Sequence, residues 1–310
     1  MKGVLLGPQR LSPTLLDVVK AMGIEGRIVT ITAGWQERED QVLELHASLG
    51  AKRCANLELY HRGEKVFAKD KELAALHRVR QDTLRERQDY YRMRLERIVD
   101  AALDIGRRAA GSRVEAEEES LSMELIRKLD LDHLAHCRAS REAYEREATP
   151  WERPLVKKHR AEIAELLEGA SAIAIAGGHV AVLLNRLRLF GVAELLTKKQ
   201  LLLAWSGGAM VTSERVVLFH ESPPQGVGIS EVMDEGLGLH RGVLPLPNPK
   251  LRLKLDDTFR VGWMARRNLP AKCVAFDSGE YVHFTENTWH GASGTHLLNP
   301  DGTCSEGWAS

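Results

Sequence analysis

The chain has 310 residues, of which 43 are basic and 43 acidic, so its formal net charge is zero and gives no general attraction to nucleic acid. Its hydrophobic fraction of 44% is enough for a sizeable core and excludes global disorder. No apolar run reaches the ~18–20 residues that a spanning helix needs, and the N-terminal apolar run stops at Gly7-Pro8, too early for a signal peptide. We therefore expect a cytoplasmic protein with no membrane partner.

Strands and helices alternate in the first 68 residues. Apolar runs at 3–6, 27–33 and 55–60 predict strands, and helical patterns at 14–22 and 37–49 lie between them. Each helical pattern ends just before a glycine, which is a common helix stop signal. This alternation predicts the first part of an α/β domain whose sheet is mostly parallel.

Residues 69–150 interrupt this alternation with a highly charged segment that is poor in glycine. Apolar or aromatic residues recur in it at steps of four and three, with Gln88 completing a heptad seam of Leu84, Tyr91, Leu95, Ile98, Ala102 and Ile105. Further helices are expected at 121–136 and 140–147. We predict a helical insertion, a hairpin or small bundle, that projects from the sheet domain. By default the seam is the inner face of the hairpin, and the alternative is a surface for self-association or a protein partner.

Two other patterns in the insertion are interpreted as solvated helix faces. Arginines and tyrosines between residues 78 and 97 are interspersed with acids, which favours ion pairs along the helix over nucleic-acid binding. His133, His136 and Cys137 have the spacing of metal ligands, but no second ligand pair accompanies them. The four cysteines are scattered and form no C-x-x-C pair. We therefore expect neither a metal site nor another cofactor.

The α/β alternation resumes in residues 151–310. Helices are predicted at 155–167 and 180–190, and strands at 170–176 and 200–205. The remainder is predicted to be a β-rich tail, with strands at 216–219, 251–255, 273–276, 280–284 and 294–298.

The strand at 200–205 ends at Ser206, with the small residues Ala204 and Gly208 two positions before and after it. A nucleophile elbow requires small residues there, because the serine occupies a strained strand-to-helix turn. The N–H of Gly207 would then point at a developing oxyanion. The alternative is a glycine-rich turn with an incidental serine.

A second strand ends at Gly177-Gly178, directly before His179 and a predicted helix. Such a turn can place a further N–H donor beside the serine turn. Taken alone, it is equally typical of an ordinary tight βα turn.

The order of these motifs resembles the cyanophycinase and dipeptidase E family of serine peptidases. The strand–Gly-Gly–helix, the strand–Ser-Gly–helix and the later Gly236-Leu237-Gly238-Leu239 with its proline-rich loop carry the resemblance, which covers residues 1–62 and 154–302. It implies a flavodoxin-like, mostly parallel sheet of the class I glutamine amidotransferase-like type. It also implies a serine-type hydrolase of peptide or amide bonds, acting on a peptide or an amide-containing small molecule.

The catalytic triad that the resemblance implies is incomplete. Asn248 stands where the family has its histidine, and Ser278 stands where the cyanophycinase branch has its acid. The acid position of the dipeptidase E branch is occupied by Glu221. A serine hydroxyl needs an adjacent base to act as a nucleophile at neutral pH.

Three histidines are candidate replacements for the missing base. His179 comes first because its turn and the serine turn end neighbouring parallel strands, and His220 and His240 follow. We expect no histidine nitrogen within hydrogen-bond distance of the Ser206 hydroxyl. The hypotheses left open are a hydrolase with a displaced base, and a non-catalytic relative that binds through the old cleft or through the insertion.

Overall fold

The computed structural model describes residues 1–10, 12–50, 53–108, 113–219, 228–286, 288–292 and 294–308. Its strands are β1 Lys2–Leu6, β2 Arg27–Ile31, β3 Cys54–Asn56, β4 Ala170–Ile175, β5 Leu201–Trp205, β6 Arg215–Leu218, β7 Glu231–Glu235, β8 Val243–Pro247, β9 Lys272–Phe276, β10 Tyr281–Thr285, β11 Thr288–Gly291, β12 His296–Leu298 and β13 Cys304–Glu306. Its helices are α1 Leu15–Ala21, α2 Leu43–Leu49, α3 Leu59–Lys69, α4 Lys71–Arg108, α5 Arg113–Ala148, α6 Pro154–Glu168, α7 Val180–Leu189, α8 Val192–Leu195, α9 Gly207–Thr212, α10 Pro249–Arg252 and α11 Thr258–Asn268.

The described residues form a central 7-stranded sheet in the order β11-β10-β1-β5-β4-β2-β3. Strands β1 to β5 run parallel, and β10 and β11 add an antiparallel edge. A 4-stranded sheet, β13-β12-β9-β8, and the β6-β7 ribbon accompany it in the described part of the chain. The molecule is therefore mixed α/β with a large, mostly parallel sheet, as the alternating pattern predicted.

Both faces of the central sheet are buried. Along β1, Val4 and Leu6 belong to one core while Leu5 belongs to the other, and β4 and β5 alternate in the same way. Helix α1 covers one face with Leu15, Val18 and Val19. Parallel strands buried on both faces need near-continuous apolar sequence, which explains why these runs were recognisable.

The insertion consists of two long helices, α4 with 38 residues and α5 with 36. The two helices predicted at 121–136 and 140–147 are one continuous helix. The hairpin does not project freely, because its apolar face is continuous with the core over the sheet. The seam also differs from the strict heptad: Tyr91, Leu95, Val99 and Ala102 are buried, whereas Ile98 is only partly buried. A straight helix with 3.6 residues per turn drifts against a 3.5-residue repeat, so the buried position moves by one residue.

A buried ion pair fastens the hairpin to α11. The Arg267 guanidinium donates to both carboxylate oxygens of Asp130 at 2.8 Å, and their side chains are 2% and 1% exposed. The Tyr91 hydroxyl donates to Asp130 at 2.7 Å and accepts from the N–H of Val232 at 3.1 Å. These bonds satisfy the buried charges, which would otherwise be costly.

Other predicted elements differ from the structure in the C-terminal third. The strand predicted at 251–255 is absent, and the short helix α10 occupies its beginning. Helix α11 and strand β8 were not predicted. Strand β8 contains Pro245 and Pro247, which a strand tolerates when it lies at a sheet edge, as β8 does. In the part of the chain that the structure describes, no helix is long and apolar enough to cross a membrane.

Candidate functional site

Four tight turns meet at the carboxyl edge of the parallel strands. They follow β1, β2, β4 and β5. The N–H of Ser206 donates to the carbonyl of Leu6 at 3.2 Å, which joins the turn after β5 to the end of β1. The N–H of His179 donates to the carbonyl of Gly34 at 2.8 Å, which joins the turn after β4 to the turn after β2. This edge is where ligands bind in open α/β sheets.

Ser206 has a strained backbone at the centre of this edge. Its φ of 51° and ψ of −125° lie in a region that residues with a side chain rarely adopt, and Gly207 begins α9 directly after it. The sequence predicted both features. The side chain is partly exposed, so a ligand can reach it.

Glycines on both sides make the strained turn possible. A Cβ at Gly177 would lie 2.7 Å from the Cβ of Ser206, and one at Gly208 would overlap the carbonyl of Ile175. Gly178, with φ +117°, packs against Gly34 so closely that a Cβ would overlap the Gly34 carbonyl. These positions therefore require glycine because the neighbouring backbones lie too close for a Cβ, and at Gly178 also because its φ is positive.

Two backbone N–H groups of these turns donate no hydrogen bond among the described residues. They belong to Gly178 and to Gly207, the first residue of α9. The backbone of Gly178 also lies against Gly207, because a Cβ at Gly207 would be 3.1 Å from the Gly178 carbonyl and 3.6 Å from its nitrogen. The arrangement can accept a negatively charged oxygen beside Ser206.

His179 caps its own helix. Its Nδ1 accepts a hydrogen bond from the N–H of Val182 at 3.3 Å, and the side chain is exposed at the start of α7. Among the described residues, no histidine nitrogen is hydrogen-bonded to the Ser206 hydroxyl. The structure thus places His179 at the same sheet edge as Ser206 but shows no hydrogen bond between them.

His240 is engaged elsewhere. Its Nε2 lies 3.2 Å from the Thr212 hydroxyl, at the far end of α9 from Ser206, and its ring packs on Phe284 and Trp289. The side chain is 3% exposed, and burial lowers the pKa of His240 to about 3. The ring is therefore neutral and shielded from the cleft. The two remaining candidates, His220 and Glu221, lie outside the described residues.

Asn248 lies at the carboxyl end of β8, next to the end of β9. Its N–H donates to the carbonyl of Phe276 at 3.0 Å, and its φ of 65° is left-handed. Asp277 follows Phe276 and packs against Gly7, where a Cβ would overlap the Asp277 carbonyl. Since Gly7 follows Leu6, the bonding partner of Ser206, Asp277 packs beside the turn after β1, and Asn248 is joined to this region only through its bond to Phe276.

Asp277 and Gln36 are notable residues near this edge. The Asp277 carboxylate is buried beside Lys250, with Oδ2 and Nζ 3.7 Å apart. Gln36, two residues beyond Gly34, has a φ of 59° and a ψ of −125°, which nearly reproduce the angles of Ser206. The strained backbone of Gln36 was not predicted from the sequence. Ser206 has small residues two positions before and two positions after it, whereas Gln36 is followed two positions later by Arg38.

The described residues contain no group of three or more His, Cys, Asp or Glu side chains that could hold a metal ion. In the segment with metal-ligand spacing, His133 instead stacks on Tyr91, with ring centroids 4.2 Å apart. Its Nε2 lies 3.5 Å from the sulfur of Cys137. This histidine is therefore a packing residue of the hairpin.

Comparisons with known proteins found little. No family model matches the chain, and no curated protein sequence matches it. Among solved structures, the crystal structure of a peptidase from an acI-B1 Actinobacterium is similar, with a TM-score of 0.46 and 15% sequence identity. The alignment covers 100% of this chain and 93% of that one.

Proposed function

We propose that this chain is a serine-peptidase or amidase-like protein of the cyanophycinase–dipeptidase E type, with a flavodoxin-like sheet of the class I glutamine amidotransferase-like type. Ser206 is the nucleophile. The observation that carries the proposal is its backbone conformation, φ 51° and ψ −125°, at the end of a central parallel strand. Such strain costs of order 1–3 kcal/mol and is typical of sites where a side chain must be presented.

In the proposed reaction the Ser206 hydroxyl attacks the carbonyl carbon of a peptide or amide bond. The N–H groups of Gly178 and Gly207 stabilise the oxyanion, and Gly177 keeps the turn closed against the serine. We assign Asn248, which stands where the family has its histidine, as a substrate-binding residue. The proton of the hydroxyl needs an acceptor, and we assign this role to His179, once its Nδ1 releases the N–H of Val182, with Glu221 as the supporting acid. The proton then passes to the amine that leaves as the C–N bond breaks, and water hydrolyses the acyl-enzyme to free Ser206.

A specific observation favours a second candidate function. The Nδ1 atom of His179 is occupied as a helix cap, and His240 is buried against Thr212. A serine with no base is a weak nucleophile. On this alternative the chain is a pseudoenzyme that binds a peptide or amide ligand in the old cleft, or a protein partner or second copy through the hairpin.

Labelling with a serine-directed fluorophosphonate tests the proposal. The hydrolase hypothesis predicts stoichiometric labelling of the wild type, loss of labelling in Ser206→Ala, and full labelling of Ser140→Ala, a control at a partly exposed serine of α5. His179→Ala should also lose most of the labelling. If the wild type fails to label at any pH where it is folded, the hydrolase proposal is wrong and the binding function stands.

A further inference from the structure

A small cavity lies where the hairpin meets α7. Its volume is about 20 Å³, which is room for one water-sized particle. Helices α4, α5 and α7 all contribute side chains to its lining, among them His77, Arg80, Arg141, Tyr144, Asn185 and Arg188. The cavity is separate from the carboxyl edge, because its α7 residues belong to the last part of the helix that begins after His179.

Four buried polar atoms on this lining have no hydrogen-bond partner among the described residues. They are Nε2 of His77, Nε and one terminal nitrogen of Arg80, and the hydroxyl of Tyr144. The guanidinium nitrogens can only donate, the tyrosine hydroxyl can donate, and a neutral imidazole has one N–H. Burial lowers the pKa of His77 to about 3, so its ring is neutral. The two Arg80 nitrogens are donors without an acceptor, the Tyr144 hydroxyl and the His77 ring can each supply a further donor, and leaving buried donors unpaired is costly.

The lining also contains one acid, Glu145, and it lies 3.9 Å from Arg141, whereas Arg80 has no ion-pair partner among the described residues. Arg188 pairs with Asp234 at 2.6 Å, and Arg141 pairs with Glu235 at 2.8 Å. Arg80 is only 7% exposed, and in the described part of the chain no carboxylate lies within ion-pair distance of it.

The neutral contacts of Arg80 do not replace a counter-ion. They are the side-chain carbonyl of Asn185 at 3.3 Å and the ring of Tyr144, whose centroid is 5.4 Å away. A buried guanidinium keeps its proton, so burial without a counter-charge is expensive. A water molecule would accept the hydrogen bonds but would leave the charge in place.

We propose that this cavity binds a monatomic anion, chloride under ordinary conditions, between Arg80, Tyr144 and His77. The ion supplies both the missing acceptor and the missing negative charge. A small anion meets both needs in the limited space between these side chains. The lining comes from the start of α4, the end of α5 and from α7. The bound ion therefore holds these ends of the hairpin helices against α7, and its binding stabilises the fold.

Thermal unfolding in chloride and in gluconate at constant ionic strength tests this site. The unfolding midpoint of the wild type should rise by about 2–3 °C for each tenfold increase in chloride above its dissociation constant. Bromide should act like chloride. Arg80→Gln should lose the response, while Arg94→Gln, an exposed arginine of the same helix, should keep it. No response in the wild type, or an equal response in Arg80→Gln, would overturn the proposal.

A second measurement covers the case in which Arg80→Gln does not fold. Crystals of the wild type grown in bromide should show an anomalous scattering peak in the cavity beside Arg80. Electron density for water alone, with no anomalous signal, would overturn the anion site. Neither measurement involves Ser206, so its outcome is separate from that of the labelling experiment.

Discussion

Gly177 and Ser206 come from different turns and touch: a Cβ on Gly177 would lie 2.7 Å from the Cβ of Ser206. The same Cβ would be 3.1 Å from the nitrogen of Gly207. The turn after β4 thus packs directly against the strained turn after β5. Two strand ends that are adjacent in the sheet keep each other in place.

We predict that Gly177→Ala disturbs this contact. The added methyl group must displace Ser206, so the free energy of unfolding should fall by about 1–3 kcal/mol, which is typical of overpacking. Fluorophosphonate labelling, if Ser206 is the nucleophile, should fall about tenfold or more because the hydroxyl moves. Urea denaturation and the labelling rate measure the two effects.

The control for this substitution is Gly106→Ala on α4. Its added Cβ would meet only the ring of Phe259 at 3.5 Å, an ordinary contact, and alanine favours a helix over glycine. This variant should be as stable as the wild type or more so. If the two variants are equally stable, the close approach at Gly177 is not a constraint.

The strain at Ser206 predicts a difference between two substitutions. Glycine adopts a positive φ without a steric penalty, because it has no Cβ. Alanine has a Cβ and therefore remains strained at this φ. Ser206→Gly should therefore be about 1 kcal/mol more stable to urea than Ser206→Ala, although both lack the hydroxyl. The reverse order of stability would mean that the turn relaxes when the side chain is shortened.

The buried pair of Asp130 and Arg267 should dominate the docking of the hairpin. Asp130→Ala leaves the guanidinium buried without its partner, so we expect a loss of about 3–5 kcal/mol in urea denaturation. Asp132→Ala is the matched control on the same helix. Its carboxylate is 54% exposed and pairs with Lys128 at 3.1 Å, so its removal should cost less than about 1 kcal/mol. Similar losses in the two variants would contradict the docking role.

Buried neutral histidines predict an acid-sensitive fold. The pKa of His240 is lowered to about 3 by burial, whereas an unfolded histidine titrates near 6.5. Between these values the unfolded chain binds the additional proton, so stability should decrease as pH falls from about 6.5 toward 3. One such group contributes at most about 1.4 kcal/mol per pH unit.

Replacing this histidine isolates its contribution. Both His240→Gln and His240→Phe should reduce the slope of unfolding free energy against pH in that window, as measured by urea denaturation at a series of pH values. The two variants should agree in slope even if they differ in absolute stability. An unchanged slope in both would show that the pKa of His240 is the same in the folded and the unfolded chain, which contradicts the prediction.

Much of the central sheet was predictable because its signals are local. The apolar runs of β1, β2, β4 and β5 are buried on both faces and need little context, and Pro154 and Gly169 mark the ends of α6. The strained turn at Ser206 was predictable for the same reason: the small residues at Ala204 and Gly208 are a steric requirement of that turn.

Segments whose sequence pattern is compatible with two different structures were not predictable. The alternating leucines at 251, 253 and 255 resemble a strand, but Pro249 begins a short helix there and Leu251 is exposed. In α4 the choice between Ile98 and Val99 depends on the surface that the helix packs against. Such choices follow from partners that are distant in the sequence.

The sequence by itself determined the α/β alternation, the charged helical insertion and the strained serine turn, because each depends on residues within a few positions of one another. Only the tertiary structure decided that Asp130 would meet Arg267, that Arg80 would be buried with no ion-pair partner among the described residues, and that His179 would cap α7 with no hydrogen bond to Ser206. Burial and side-chain pairing depend on which distant segments share a surface, and residue spacing along the chain carries no direct record of that.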